Sequence, residues 1–334
     1  MNAHPTFPHR HAAHCESGVI ANLMNHSGQS MSEAMAFGLA SGLSFAYLPF
    51  IKISGAPLIA YRIMPRAIIK NLTARLKTRA HFQTFKNPKA GQAALDAILA
   101  KGGVVGLQTS VYWLPYFPED MRFHFNAHNL VVYGKDGDDY LISDPVFEEP
   151  MRCATADLNR ARFAKGALAP KGLLYEIDGS NTSTISTAAI IKAILKTCNS
   201  MGAPVPIAGI KGMRMLAKKV ARLDPNDPKT ALFVGHIVRM QEEIGTGGAG
   251  FRFLYAAFLQ EAAAYNDLGI LEKYADRLMS IGDDWRMFAL TTARMVKGRE
   301  PMLPPALAKR LNDLANLESV FYKDLKADLK KVSR

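Results

Sequence analysis

Apolar positions along this chain change their period twice. From residue 15 to residue 26 they recur at helical spacing, with Ile20, Leu23 and Met24 on one stripe and Gly28 placed as a C-terminal stop. Ser30-Met-Ser-Glu33 is a capping-box pattern and predicts a second helix. Residues 34–51 carry no charge, which is about the length of a short membrane span. Gly38, Ser41, Gly42, Ser44 and Pro49 interrupt that run, so it reads as a buried helix followed by a turn. Residues 62–77 and 89–101 read as two further helices, the second ended by Gly102-Gly103.

The period then shortens. Residues 104–113 predict a strand that Leu114-Pro-Tyr116 should end. Residues 128–133 and 140–143 are β-branched or aromatic arms around Asp136-Gly137, a strong hairpin signal. Residues 172–177 predict another strand. A polar, turn-rich stretch after Asp178 marks a domain boundary, and beyond it the helical period returns. Phe251, Leu254, Tyr255, Phe258 and Leu259 follow it closely, as do Leu307, Leu311, Leu314, Phe321 and Leu325. The pattern therefore predicts an α+β domain over residues 1–178 and an all-helical domain over residues 179–334.

With 334 residues, almost half of them apolar, the chain can bury a substantial core in each domain. Its net charge of +12 is unevenly spread. No acidic residue lies between Glu33 and Asp96 or between Asp178 and Asp224, while lysines and arginines recur in both segments. Such one-signed segments suit an anionic partner. The candidates are an acidic carrier protein, a phosphate-bearing cofactor or an anionic membrane surface. Nucleic acid is not expected, because no zinc-finger, helix-turn-helix or RNA-binding signature accompanies the charge. Three scattered cysteines and no secretory signal lead to the expectation of a reducing, cytoplasmic setting.

Cys15 opens the first helix, where free backbone amides and the helix dipole favour a thiolate. Its own amide could also donate to an oxyanion. A free cysteine is more often a small buried hydrophobe. The hairpin changes that balance. A two-residue turn at Asp136-Gly137 sets His128 opposite Pro145 and Asn129 opposite Asp144, whereas a three-residue turn sets His128 opposite Asp144. Either way imidazole and carboxylate meet at one end of the hairpin, and the register decides whether they share a face. A Cys-His-Asp set of this kind suits covalent acyl chemistry. A metal site at His9, His11, His14 and Cys15 is not expected, because no second Cys/His pair appears. Gly245-Thr-Gly-Gly-Ala-Gly250 precedes a helix, so Gly247, Gly248 and Arg252 are candidates for holding an anion. A plain tight turn is the alternative there.

These residues together resemble two families. The span from Cys15 to Asp144 looks like a papain-like cysteine fold of the C39-peptidase kind. More closely, His14-Cys-Glu-Ser17, the segment 37–45, Leu114-Pro-Tyr116 and residues 127–134 resemble the BtrH-like butirosin-biosynthesis acyltransferase family. Residues 245–261 look like the helical C-terminal domain fused to it. The resemblance implies an acyltransferase that moves an acyl group from a carrier-protein or CoA thioester through Cys15 to a small amine acceptor. Cys15 is then the nucleophile, His128 the base and acid, and Asp144 the orienting group. No bound cofactor is implied, only an acyl-phosphopantetheine thioester as co-substrate, and the basic segments become a docking surface for an acidic acyl carrier protein. A cysteine peptidase or amidase, and a non-catalytic protein that binds a carrier or a membrane surface, are the alternatives. The apolar faces of the C-terminal helices leave room for a homodimer. Two departures stand out. His9 occupies the place where papain-like enzymes carry an oxyanion-donating Gln, and Ser110 stands where the family pattern has an Asp. His9, His14, Gln108 and Ser110 are therefore the oxyanion or site-lining candidates.

Overall fold

The computed structural model describes residues 6–53, 55–179, 184–244 and 247–332. In chain order the elements are α1 (Cys15–His26), α2 (Glu33–Leu39), β1 (Leu43–Ile53), β2 (Ala56–Arg62), α3 (Ala67–Leu76), β3 (Arg79–Gln83), α4 (Pro88–Leu99), β4 (Val105–Thr109), β5 (His128–Asp136), β6 (Asp139–Ser143), β7 (Met151–Ala154), α5 (Thr155–Arg162) and β8 (Leu174–Asp178). Helices α6 (Thr187–Met201), α7 (Gly209–Val220), α8 (Pro228–Glu242), α9 (Arg252–Ala263), α10 (Leu271–Val296) and α11 (Pro304–Val332) follow.

The chain divides into two compact units, residues 1–36 with 68–184, and residues 37–67 with 185–334. The first holds a six-stranded sheet in the order β3-β8-β4-β5-β6-β7. All its pairings are antiparallel. One face carries Val105, Leu107, Leu130, Val132 and Ile142, which pack with Leu95 of α4 and Leu158 of α5. Each is essentially shielded from solvent, and burial of such a side chain stabilises by roughly 1.5–3 kcal/mol. The fold is α+β, with the cysteine-bearing helix ahead of the sheet in the chain.

The second unit is helical, with one added hairpin of β1 and β2. This hairpin differs from the expected reading of residues 34–51 as a helix and turn. Ser41 takes a left-handed φ of 55° and ends the helical run. Beyond it Leu43, Phe45 and Tyr47 are buried alternately, a period-two signal that the missing charges obscured. The expected division at residue 178 also differs in this respect. Residues 37–67 belong with the C-terminal helices, so the chain passes between the units more than once. Part of the expected boundary, residues 180–183, lies outside the described residues.

Within the second unit α9, α10 and α11 converge on a buried ion pair. Arg252 Nε donates to Glu318 Oε1 at 2.8 Å and Nη2 to Oε2 at 3.0 Å, and the Trp285 indole N–H donates to the same carboxylate at 2.7 Å. Both charges are fully buried, so the pair holds only because its hydrogen bonds are satisfied. Among the described residues no helix is long and apolar enough to cross a membrane.

Candidate active site

The first helix begins at Cys15 because His14 caps it. His14 has extended backbone, and its Nδ1 accepts the Ser17 N–H at 3.3 Å. A second device secures the same turn. The Glu33 carboxylate accepts the N–H groups of Ala13 and His14, each at 2.8 Å, and the Ser17 hydroxyl at 2.9 Å. Glu33 was expected to close a capping box on its own helix, but it reaches back to the cysteine helix instead. Burial raises its pKa, and these hydrogen bonds partly offset that rise. Glu16, next to the cysteine, is buried and accepts the Ile68 N–H at 3.0 Å at the start of α3. The backbone on either side of Cys15 is thus anchored by carboxylates.

The second component comes from the β5–β6 hairpin. Its turn pairs Asp136 with Asp139, so Gly137 and Asp138 are the loop residues, one position on from the expected turn. Gly137 takes the positive φ of 59° that this turn requires. Continued unbroken, that register would put Asp144 on the opposite face from His128. A bulge at Tyr133 intervenes, because Gly134 pairs Leu141 whereas Val132 pairs Ile142. The bulge shifts the register by one and turns Asp144 to the face that carries His128 and Leu130. His128 Nε2 then meets Asp144 Oδ2 at 2.7 Å. The other carboxylate oxygen accepts the Val146 N–H at 3.3 Å.

The Cys15 thiol lies within hydrogen-bonding reach of the His128 ring. With Nε2 given to the carboxylate, Nδ1 is the nitrogen that serves the sulfur. Cys15, His128 and Asp144 are 6%, 4% and 0% exposed, and the Phe117 ring stands edge-on to the imidazole at 5.3 Å. Burial by itself disfavours the imidazolium. The Asp144 charge, its hydrogen bond and Cys15 outweigh burial and push the His128 pKa up to about 10. The site therefore favours a charged imidazole beside a sulfur at a helix start.

The remaining sequence candidates have other work. His9 is not an oxyanion donor. Its Nε2–H donates to the Phe147 and Glu148 carbonyls, each at 3.1 Å, and its Nδ1 takes the Ser143 hydroxyl at 2.7 Å. It ties the N-terminal segment to the end of the hairpin. His14 is the helix cap just described. Gln108 donates its amide to the carbonyls of Asn126 at 2.8 Å and Leu168 at 3.1 Å. Ser110 Oγ is buried with no hydrogen-bond partner among the described residues. Ser110 follows Thr109, the strand partner of His128, so alternation turns it to the other face of the sheet. Arg252 is held by Glu318 and also donates to the Gly250 carbonyl at 2.8 Å, so it is not poised for an anion. The glycine loop has its own occupant, because the Ala249 N–H donates to Glu242 Oε1 at 3.1 Å. Gly247 and Gly248 both have positive φ, the backbone conformation that favours glycine. That loop is a tight turn, and its Gly245 and Thr246 lie outside the described residues.

Two residues escaped the sequence reading. Tyr116 donates its hydroxyl to Asp144 Oδ2 at 2.9 Å. Burial, then the Asp144 charge, hold its pKa well above the tyrosine value, so it remains a donor. The Leu114-Pro-Tyr116 corner was the available signal: it marks the end of a strand and is part of the family resemblance, but neither assigns Tyr116 a partner. Gly18 is the second. A Cβ there would lie 2.6 Å from Ala12 Cβ and 2.7 Å from Pro145 Cβ. Only a glycine lets the cysteine helix lie this close to the turn that carries Asp144.

A family model described as Butirosin biosynthesis protein H, N-terminal, matches residues 14–145. A second, described as Domain of unknown function (DUF4872), matches residues 156–325. No curated protein matches the chain. A solved structure described as a C39-like peptidase from Bacillus anthracis is similar at 14% identity, with a TM-score of 0.38, over 52% of this chain and 95% of that one.

Proposed function

Since the chain belongs to the butirosin biosynthesis protein H family, we propose that it is a papain-like cysteine enzyme and an acyltransferase. It takes an acyl group from a pantetheine thioester onto Cys15 and passes it to an amine. The observation that carries this reading is the buried 2.7 Å contact of His128 with Asp144, with the Cys15 thiol in reach of the same ring.

In this reading Cys15 Sγ attacks the thioester carbonyl with its proton already resting on His128, the ring the site favours in its charged form. The Cys15 N–H is at the first helical position, where no intrahelical acceptor exists, and it supports the oxyanion. Collapse breaks the donor C–S bond, and His128 returns the proton to the leaving pantetheine sulfur. The amine then attacks the acyl-Cys15 thioester and loses its proton to His128. The second collapse forms the amide and releases the Cys15 sulfur, which recovers its proton. Asp144 orients the ring and stabilises its charged form, and Tyr116 and Val146 orient Asp144. The low exposure of the three residues favours transfer to an amine over loss to water.

Intact-mass measurement after mixing with acyl-pantetheine thioesters tests the reading. An acyl mass on the wild type, absent from Cys15→Ala and discharged by amines, is expected. Cleavage of peptides with no acyl adduct from any thioester would overturn the proposal in favour of a peptidase.

A further inference from the structure

The connection between β4 and β5 spans residues 110–127, long for two neighbouring antiparallel strands. Its two sides have different partners. Inward, Tyr116 holds Asp144 and Phe117 covers His128. Outward, Tyr112 and Trp113 are 40% and 37% exposed, with Met121 and Phe123 beside them in sequence. Exposed aromatic surface of this kind marks a contact site more often than chance.

The outward side forms a groove. One hollow of about 590 Å³ is lined by Trp113, His124, Phe163, Arg160, Lys165 and Pro88, among others, and no carboxylate lines it. A second, of about 440 Å³, shares Trp113 and Arg160 and adds Tyr112, Arg122 and two carboxylates, Glu119 and Asp157, so the anion-favouring part is the first hollow. Flat rings are stacked along it. Tyr112 lies on His124 with centroids 4.0 Å apart, and the Arg160 guanidinium stands 5.7 Å over Trp113. Arg160 also pairs with Asp157 at 3.6 Å, but both are solvent-exposed enough that this pair holds it weakly. Arg122 Nε has no acceptor among the described residues. The groove borders the site already described. Pro115 lines it and Tyr116, the next residue, reaches Asp144. The Ser110 N–H donates to Ala161 O at 2.9 Å, which ties the neighbour of Arg160 to the end of β4 beside Thr109, the partner of His128.

Exposed rings and solvent-facing cations in a hollow of small-molecule size suit a ligand with a flat ring and phosphates. We propose that this groove is a subsite for the nucleotide end of a coenzyme A thioester, with the adenine on Trp113 and the phosphates on Arg160 and Lys165. This rests on the reading of Cys15 as the acyl acceptor. A carrier protein would instead need a broad contact face, on the order of 800 Å² on each partner, and has no flat ring for a hollow.

Tryptophan fluorescence tests it, because the chain has two tryptophans and Trp285 is buried in the other unit. Coenzyme A and 3′,5′-adenosine diphosphate should each quench the full-length wild type saturably, and Trp113→Phe should abolish the change. Arg160→Ala with Lys165→Ala should weaken binding on the order of tenfold or more. The same pair should lower, by a similar factor, the preference for a coenzyme A thioester over an N-acetylcysteamine thioester in loading Cys15. Absence of saturable quenching overturns the proposal, as does equal binding by the charge variant. Loading from a protein-borne pantetheine but not from coenzyme A overturns it too. If no thioester loads Cys15 while quenching persists, the acyl-acceptor reading falls and the nucleotide site stands, so the two fail separately.

Discussion

Replacing Gly18 by alanine tests whether the site depends on the close approach of α1 to the Asp144-Pro145 turn. The added methyl would meet Pro145 Cβ at 2.7 Å and Ala12 Cβ at 2.6 Å, against the 3.4 Å of ordinary contact. Something must therefore move by about 0.7 Å on each side. Neither neighbour is a flexible side chain, and the two are joined by the Ala12 N–H to Pro145 O hydrogen bond of 2.6 Å. The displacement falls on the helix bearing Cys15 or on the turn bearing Asp144. Overpacking of this kind costs about 1–3 kcal/mol, and alanine returns about 1 kcal/mol of helix propensity over glycine. Net destabilisation should therefore be small, roughly 0–2 kcal/mol. A misplacement approaching 1 Å at reacting groups lowers rates by up to about a hundredfold. The expected outcome is a Gly18→Ala protein with near-native denaturant stability and a Cys15 acylation rate lower by about ten- to a hundredfold. Quenched-flow mass spectrometry gives the rate and urea unfolding gives the stability. Wild-type rate with wild-type stability would refute the claim that this contact sets the geometry.

The His128 pKa is raised from 6.5 to about 10 by its folded environment. The pair's contribution to stability is therefore fully present below pH 6.5 and is lost as pH rises through about 10. In Asp144→Asn burial is the larger influence left on His128, so the fall in stability between pH 7 and 10 should vanish in urea titrations. Tyr116→Phe removes a donor from the oxygen that also receives His128. The carboxylate then holds the imidazolium more strongly, and the basic limb of the acylation–pH profile should move upward with folding intact; an unmoved limb counts against a role for Tyr116 through Asp144. Arg252→Leu leaves Glu318 buried with its charge uncompensated, so it should cost about 3–5 kcal/mol in urea unfolding. Anion affinity should be unaffected there, because no anion is held. His9→Phe should loosen the N-terminal segment, and it should slow acylation less than the hundred- to thousandfold that loss of an oxyanion donor brings, which rate measurements with matched stability can separate.

Much of the site could be read from residue order. A cysteine at a helix start, a histidine opening a strand and an aspartate closing the next are local facts, visible as a change of hydrophobic period and a turn dipeptide. The helices of the second unit were legible for the same reason, since each repeats its own face over several turns. The β1–β2 hairpin was less so, because three alternating aromatic or aliphatic positions in an uncharged run also fit a short helix. Arg252 and His9 were misread because a charged or polar residue near a glycine loop or a cysteine looks the same in sequence whether it awaits a ligand or already has a partner. Glu318, which claims Arg252, is 66 residues away. Ser143, which claims His9, is 134 away.

The amino-acid order by itself determined most of the elements, the fold class and the three candidate side chains, Cys15, His128 and Asp144, because periodicity, caps and turn residues act over a few neighbouring positions. Tertiary structure decided whether those side chains meet. The Tyr133 bulge sets which face Asp144 takes, the bare Cα of Gly18 sets how near α1 can come, and Glu33 and Tyr116 hold the two ends in place. Each of these depends on atoms brought together from distant parts of the chain, where a shift of one residue or a single methyl reverses the outcome.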